Sequence, residues 1–136
     1  MSKLERPRVL LVDDYERLLE AWRRLLEPSC EILGGVTSGD EALPLARALK
    51  PDVIVVDLSM PGLNGFDVCR KIREITREIQ VVLVSADDNE ALRQVGERVG
   101  AAAFVTKSEA ADELEPAIQR AFRQEPEGKP SLQGNG

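Results

Sequence analysis

The chain has 136 residues, 43% of them apolar but only 4% aromatic, which is one domain's worth of sequence with an aliphatic core. Its formal charge of −6 excludes non-specific binding to nucleic acid or anionic membrane, both of which reward a cationic surface. It has no histidine, and that excludes histidine triads, imidazole metal sites and histidine general bases.

Taken in chain order, short apolar runs alternate with helix-period segments five times. Arg8 to Val12 reads as a buried strand. Tyr15, Leu18, Leu19, Trp22, Leu25 and Leu26 then recur at helical spacing, and Pro28 closes the segment, with Trp22 in the core. Cys30 to Val36 is a weaker strand, loosened by Gly34 and Gly35. A second helix opens at Ser38 with Glu41 completing a capping box, and Pro44 inside it predicts a kink or a late start. Val53 to Asp57 is a continuous β-branched run, the pattern of a strand covered on both faces.

Met60 to Gly65 reads as a loop, with Asn64 and Gly65 serving helix entry, and Phe66, Cys69, Ile72 and Ile75 follow on a helix. Val81 to Ser85 is the fourth strand. A helix from Asn89 to Val99 stops at Gly100, and Ala102 to Thr106 is a short fifth strand. Leu114, Ala117, Ile118, Ala121 and Phe122 mark the last helix, with Pro116 expected near its first turns. Five strands alternating with five helices predict an α/β fold, a doubly wound five-stranded parallel sheet. Residues 1–123 form the domain, and 124–136 read as a flexible tail or linker. Cys30 and Cys69 lie outside any metal-ligand spacing and read as core fillers. The absence of an 18-residue apolar run or a leader pattern predicts no membrane contact and a cytoplasmic location.

In such folds chemistry collects outside the carboxyl ends of the strands. There the sequence puts Asp13 and Asp14, Asp57, Ser85 and Lys107. Three clustered carboxylates repel one another unless a hard divalent cation such as Mg²⁺ fills the site. Such a cation and Lys107 could hold a phosphoryl group between them, with Ser85 donating a hydrogen bond and Asp57 as the nucleophile. Gly62 and Gly65 do not form a nucleotide-binding loop. Taken singly, Asp13 and Asp14 could be an ordinary helix cap, and Lys107 a solvated lysine.

The set Asp13-Asp14, Val-Val-Asp57-Leu-Ser-Met-Pro-Gly, Ser85-Ala86 and Phe-Val-Thr-Lys107 resembles the receiver domain of bacterial two-component response regulators, over roughly Arg8 to Phe122. The resemblance implies a flavodoxin-like fold and a phosphoprotein that takes its phosphoryl group on Asp57 from a histidine kinase or phosphotransfer protein. It implies Mg²⁺ held by Asp14, Asp57, the backbone carbonyl of Ser59 and, mostly through water, Asp13. Lys107 would contact the phosphoryl group. Ser85 and Phe104 would form a switch, and Ser59 and Asp87 would tune phosphoryl lifetime. The output surface would be the fourth helix, fifth strand and fifth helix, presented to an output protein or an appended effector domain.

Two positions depart from the family pattern. Ser108 stands where proline usually follows the lysine, and Phe104 where tyrosine or histidine is common. Both bear on output coupling more than on phosphorylation. The alternatives are the receiver half of a DNA-binding transcriptional regulator, an aspartyl-phosphate hydrolase and a receiver-like domain that binds partners without phosphate. The hydrolase would want a second aspartate where Ser59 stands, and the phosphate-free class usually loses an acidic residue or the lysine, which are all present here. A phosphoacceptor that assists its own transfer is therefore expected, not an enzyme of ordinary turnover.

Overall fold

The computed structural model describes residues 6–124. Five parallel strands form one sheet: β1 (Arg8–Val12), β2 (Glu31–Val36), β3 (Val53–Asp57), β4 (Gln80–Ser85) and β5 (Ala103–Thr106). Their order is β2-β1-β3-β4-β5, so chain direction across the sheet reverses between β1 and β3. The helices are α1 (Glu16–Leu26), α2 (Gly39–Leu49), α3 (Gly65–Ile75), α4 (Glu90–Arg98) and α5 (Ala110–Phe122). The doubly wound architecture expected from the alternation is the one observed.

Strand side chains divide between two aliphatic cores, as the period of two requires. Val9, Leu11, Val53, Val55, Val82 and Val84 face α1 and α5, where Trp22, Leu26, Leu114 and Ile118 cover them. Leu10, Val12, Ile54, Val56, Val81 and Leu83 face the other way, under Ala42, Val68, Cys69 and Ile72. Every residue of β3 is buried, which is why its sequence is a β-branched run and not an alternation. Cys30 and Cys69 are free thiols buried in these cores, and burial pushes Cys69 up to about 11.

The late start offered for the second helix and the early place given to Pro116 are corrected. Helix α2 starts at Gly39, directly after its N-cap Ser38, so Pro44 does not delay it. Ser38 Oγ accepts from Glu41 N at 3.1 Å and fixes the start, which is stronger information than the lost bond downstream. Pro116 is the seventh residue of α5 and lies mid-helix. A 3₁₀ turn over Lys107–Glu109 leads directly into that helix, so it begins four residues before the apolar stripe at Leu114. Past Gln124 the expected tail lies outside the described residues. Among the described residues no helix is long and apolar enough to cross a membrane.

Candidate functional site

The reversal between β1 and β3 opens a crevice at the carboxyl edge of the sheet, and four charged side chains meet there. Asp13 follows β1, its backbone N–H donating to Val36 O at 3.1 Å. Asp57 is the last residue of β3. The loop after β3 packs tightly because α3 enters through Gly65, where a Cβ would sit 2.8 Å from the Asp57 carbonyl oxygen. Asn64 and Asp67 close a reciprocal capping box at that entry, as expected of a helix-entry pair.

Asp13 and Asp57 are buried and Asp14 is exposed, yet one carboxylate oxygen from each lies within 4.8 Å of the others. Lys107, the first residue past β5, reaches across with Nζ 3.5 Å from Asp13 Oδ2 and 3.3 Å from Asp57 Oδ1. The contacts are ion pairs without hydrogen-bond geometry: both oxygens are buried and neither receives a hydrogen bond. Buried lone pairs are almost always satisfied, so two orphans facing each other mark a site built for a further group. A hard cation with a preference for oxygen ligands fits that donor set, since it would satisfy both atoms and relieve the repulsion.

The electrostatics agree. Burial pushes the Asp57 carboxyl above its ordinary value, and the Asp13 charge pushes it further, while Lys107 and the Ser59 backbone N–H pull it back. Asp13 is raised for the same first reason, opposed by the N–H of Tyr15 and by Lys107. For Lys107 burial alone would lower the pKa, but the charges of Asp57 and Asp13 outweigh it and hold the ammonium above its usual range. One cation thus serves two carboxylates, with a third close by.

Neither aspartate caps the first helix. Tyr15 occupies the N-cap position without a side-chain cap bond, and Asp13 Oδ1 accepts from Tyr15 N at 2.8 Å, turning the chain before the helix begins. Ser85 is buried at the end of β4, but its hydroxyl is engaged away from the carboxylates. It donates to Asp87 O and accepts from Asp87 N, both at 3.0 Å. Ser59 and Asp87 are exposed. Phe104 is buried in the core on the α3–α4 side.

One residue was missed by sequence reasoning. Arg93 of α4 places its guanidinium 4.9 Å from the centre of the Phe104 ring and donates Nη1 to Phe104 O at 3.2 Å. Its sequence signal is slight: Gly96, one turn later on the same face, leaves room beside the ring, its hypothetical Cβ lying 3.7 Å from Phe104 Cδ2.

With this geometry in view, residues 9–119 match the family described as the response regulator receiver domain. Response regulator GacA of Pseudomonas aeruginosa is 32% identical over 117 residues, 85% of this chain and 55% of that protein. Transcriptional regulatory protein LiaR of Bacillus subtilis is 35% identical over 130 residues, 93% of this chain and 61% of LiaR. The chain spans about half the length of the curated relatives it matches. Among solved structures, the receiver domain of the response regulator NarL from Mycobacterium tuberculosis superimposes with a TM-score of 0.81 at 31% identity, covering 88% of this chain and 98% of that one. A two-component response regulator of the LuxR family from Aurantimonas gives 0.85 at 30% identity, covering 90% and 89%.

Proposed function

This chain belongs to the response regulator receiver domain family, and from that premise we propose that it accepts a phosphoryl group on Asp57 from a histidine kinase or phosphotransfer protein. The observation that carries the reading is the pair of buried, unbonded oxygens on Asp13 and Asp57, with Lys107 between them. In the transfer a carboxylate oxygen of Asp57 bonds to phosphorus as the donor's P–N bond breaks, and the bonding electron pair stays on the donor imidazole. Lys107 neutralises charge on the phosphoryl oxygens, and its raised pKa keeps it protonated for that task.

Asp13, Asp14, Asp57 and the Ser59 backbone carbonyl would hold Mg²⁺, which when bound supplies counter-charge to the phosphoryl oxygens. Ser85 would exchange its Asp87 bonds for a phosphoryl oxygen, and Phe104 would move into the space it leaves. Ser59 and Asp87 would tune the lifetime of the phosphoryl group. Signals would leave through α4, β5 and α5, and cytoplasmic signalling, not catalytic turnover, is the role this supports.

A second reading, the receiver half of a longer regulator with an effector domain, is favoured by one observation. The matching relatives are about one and a half times as long, and LiaR is a transcriptional regulatory protein. The hydrolase reading has nothing at Ser59 to act as acid or base. Intact mass after treatment with a small phosphodonor and Mg²⁺ tests the central claim. One added phosphoryl group in the wild type and none in Asp57→Asn is the expected outcome, and equal labelling of the variant refutes it.

A further inference from the structure

Arginines at the amino end of the sheet divide into two kinds. Arg6 donates to the carbonyls of Glu27 and Cys30 behind α1, and Arg8 donates to those of Leu49 and Lys50 at the end of α2. These satisfy helix ends in the ordinary way. At the ends of α3 and α4 four more arginines, Arg70, Arg73, Arg77 and Arg98, line one cleft of about 350 Å³ with a single carboxylate, Glu74. Arg70 is paired with Asp67 at 3.1 Å. Among the described residues, the guanidinium groups of Arg73, Arg77 and Arg98 bond to no carboxylate and no helix-end carbonyl, and Glu74 pairs with none of them.

Arg73 shows that this is more than a solvated face. Its Nε and Nη2 are buried with no acceptor. Its stem is pinned beneath Gly100, whose φ of +92° and missing side chain admit it: a Cβ there would meet Arg73 Cγ and Cδ at 3.0 Å. A buried, charged donor without an acceptor is costly, and the nearby Arg77 charge adds repulsion. An anion in the cleft would offset that charge.

We propose that this cleft is a binding site for a polyphosphate-bearing small molecule. Size and charge together argue for more than one phosphate: a cleft of about 350 Å³ exceeds a single phosphate, and four guanidinium groups less Glu74 and the Asp67 paired with Arg70 leave a net +2, in a protein of overall charge −6. Planar guanidinium groups bind phosphate oxygens bidentately, and Arg77 and Arg98, exposed and with no partner among the described residues, present two of them on the cleft, with the Arg73 charge behind. The cleft lies at the opposite end of the sheet from Asp57 and does not depend on the phosphoacceptor reading.

Amide chemical shifts followed during titration with sodium tripolyphosphate test it, at constant ionic strength and with chelator so that no divalent cation recruits phosphate to the acidic cluster. Saturable shifts at residues 70–77 and 98–100 are expected, with orthophosphate weaker than tripolyphosphate. ATP in a parallel titration separates a nucleotide, which would add shifts at the cleft rim, from inorganic polyphosphate, which would be matched by tripolyphosphate alone. The double variant Arg77→Gln/Arg98→Gln, both exposed positions, should weaken binding about tenfold or more while leaving other amides and Asp57 phosphorylation unchanged. Should that variant fail to fold, Arg98→Gln alone carries the test. The proposal is overturned if tripolyphosphate causes no saturable shift in the cleft, if the variant binds as well as wild type, or if only DNA or an acidic peptide binds there.

Discussion

At the amino end of β1 the backbone N–H of Arg8 donates to Asp52 Oδ2 at 2.9 Å while its guanidinium donates to two helix-end carbonyls, at 2.8 and 2.9 Å. At the carboxyl end of the same strand, Asp13 is buried with one oxygen unbonded, beside Asp57 in the same condition and a lysine shared between them. Both ends tie strand to loop through charge, but only the first is complete. Stability favours completed bonds, so an incomplete buried cluster persists where the missing part arrives from outside. The comparison can be broken by variants at each end that exchange effects on phosphorylation for effects on stability.

Lys107→Ala should have the largest effect. Phosphorylation by a small phosphodonor should slow about a hundredfold, the scale on which a positioned charge donor acts in a transition state. The side chain is only 32% exposed and serves two buried carboxylates, so the metal-free variant should also melt lower. Mg²⁺ should restore much of that melting temperature without restoring the rate. A variant that melts lower with Mg²⁺ as without it would make Lys107 a structural anchor and erase the contrast between the two ends.

Arg8→Ala should behave in the opposite way. It removes two partly exposed bonds to Leu49 O and Lys50 O, a loss of about 1–2 kcal/mol that lowers the melting temperature by about 2–8 °C. The phosphorylation rate should stay at the wild-type value. A rate loss comparable to that of Lys107→Ala would mean that the two ends are coupled and that the division between them is wrong.

What the sequence made legible follows the same division. Strand runs, helix stripes and the cluster of Asp13, Asp14, Asp57 and Lys107 are visible because strand ends in a parallel sheet share one edge, so position along the chain gives position in space. Pro116 was misplaced because the first turn of α5 carries one buried residue, Ala110, among exposed ones, and an apolar stripe reports burial and not hydrogen bonding. The Ser85 bonds to Asp87 and the Arg93 contact with Phe104 were not visible. They depend on loop conformation and on the approach of α4 to β5, which no period within one element encodes. The same holds for Arg73, whose neighbours Arg98 and Gly100 come from the end of α4 and the turn after it.

Asp13→Asn gives the smallest effect and the sharpest one, because its sign is unusual. Two like charges about 4 Å apart are worth on the order of 1–4 kcal/mol, depending on the local dielectric. Asparagine removes the repulsion between positions 13 and 57 without opening a cavity, and its carbonyl can still accept from Tyr15 N. Part of the gain is offset by losing one of the two carboxylates that attract Lys107, but the raised pKa of Asp13 means that its ionised form is disfavoured on balance. The metal-free variant should therefore melt about 2–6 °C above wild type at neutral pH, whereas most substitutions lower stability. A helix-capping role predicts no such gain, since asparagine caps as well as aspartate. The pH dependence follows from the same shifts. Folded wild type binds protons at Asp13 and Asp57 more tightly than the unfolded chain does, so between the ordinary carboxylate value of 3.8 and the raised folded values these groups make stability fall as pH rises. Lowering the pH into that window neutralises the wild-type cluster, and the advantage of the variant should shrink there. Mg²⁺ acts on the difference from the other direction: wild type should gain about 1.4 kcal/mol at ten times its dissociation constant, and the variant less. Thermal melts of both proteins, with chelator and with Mg²⁺ across that pH range, read all three effects. A variant that melts no higher than wild type in chelator and responds equally to Mg²⁺ would show that the buried carboxylates at this end are as well compensated as Arg8 at the other.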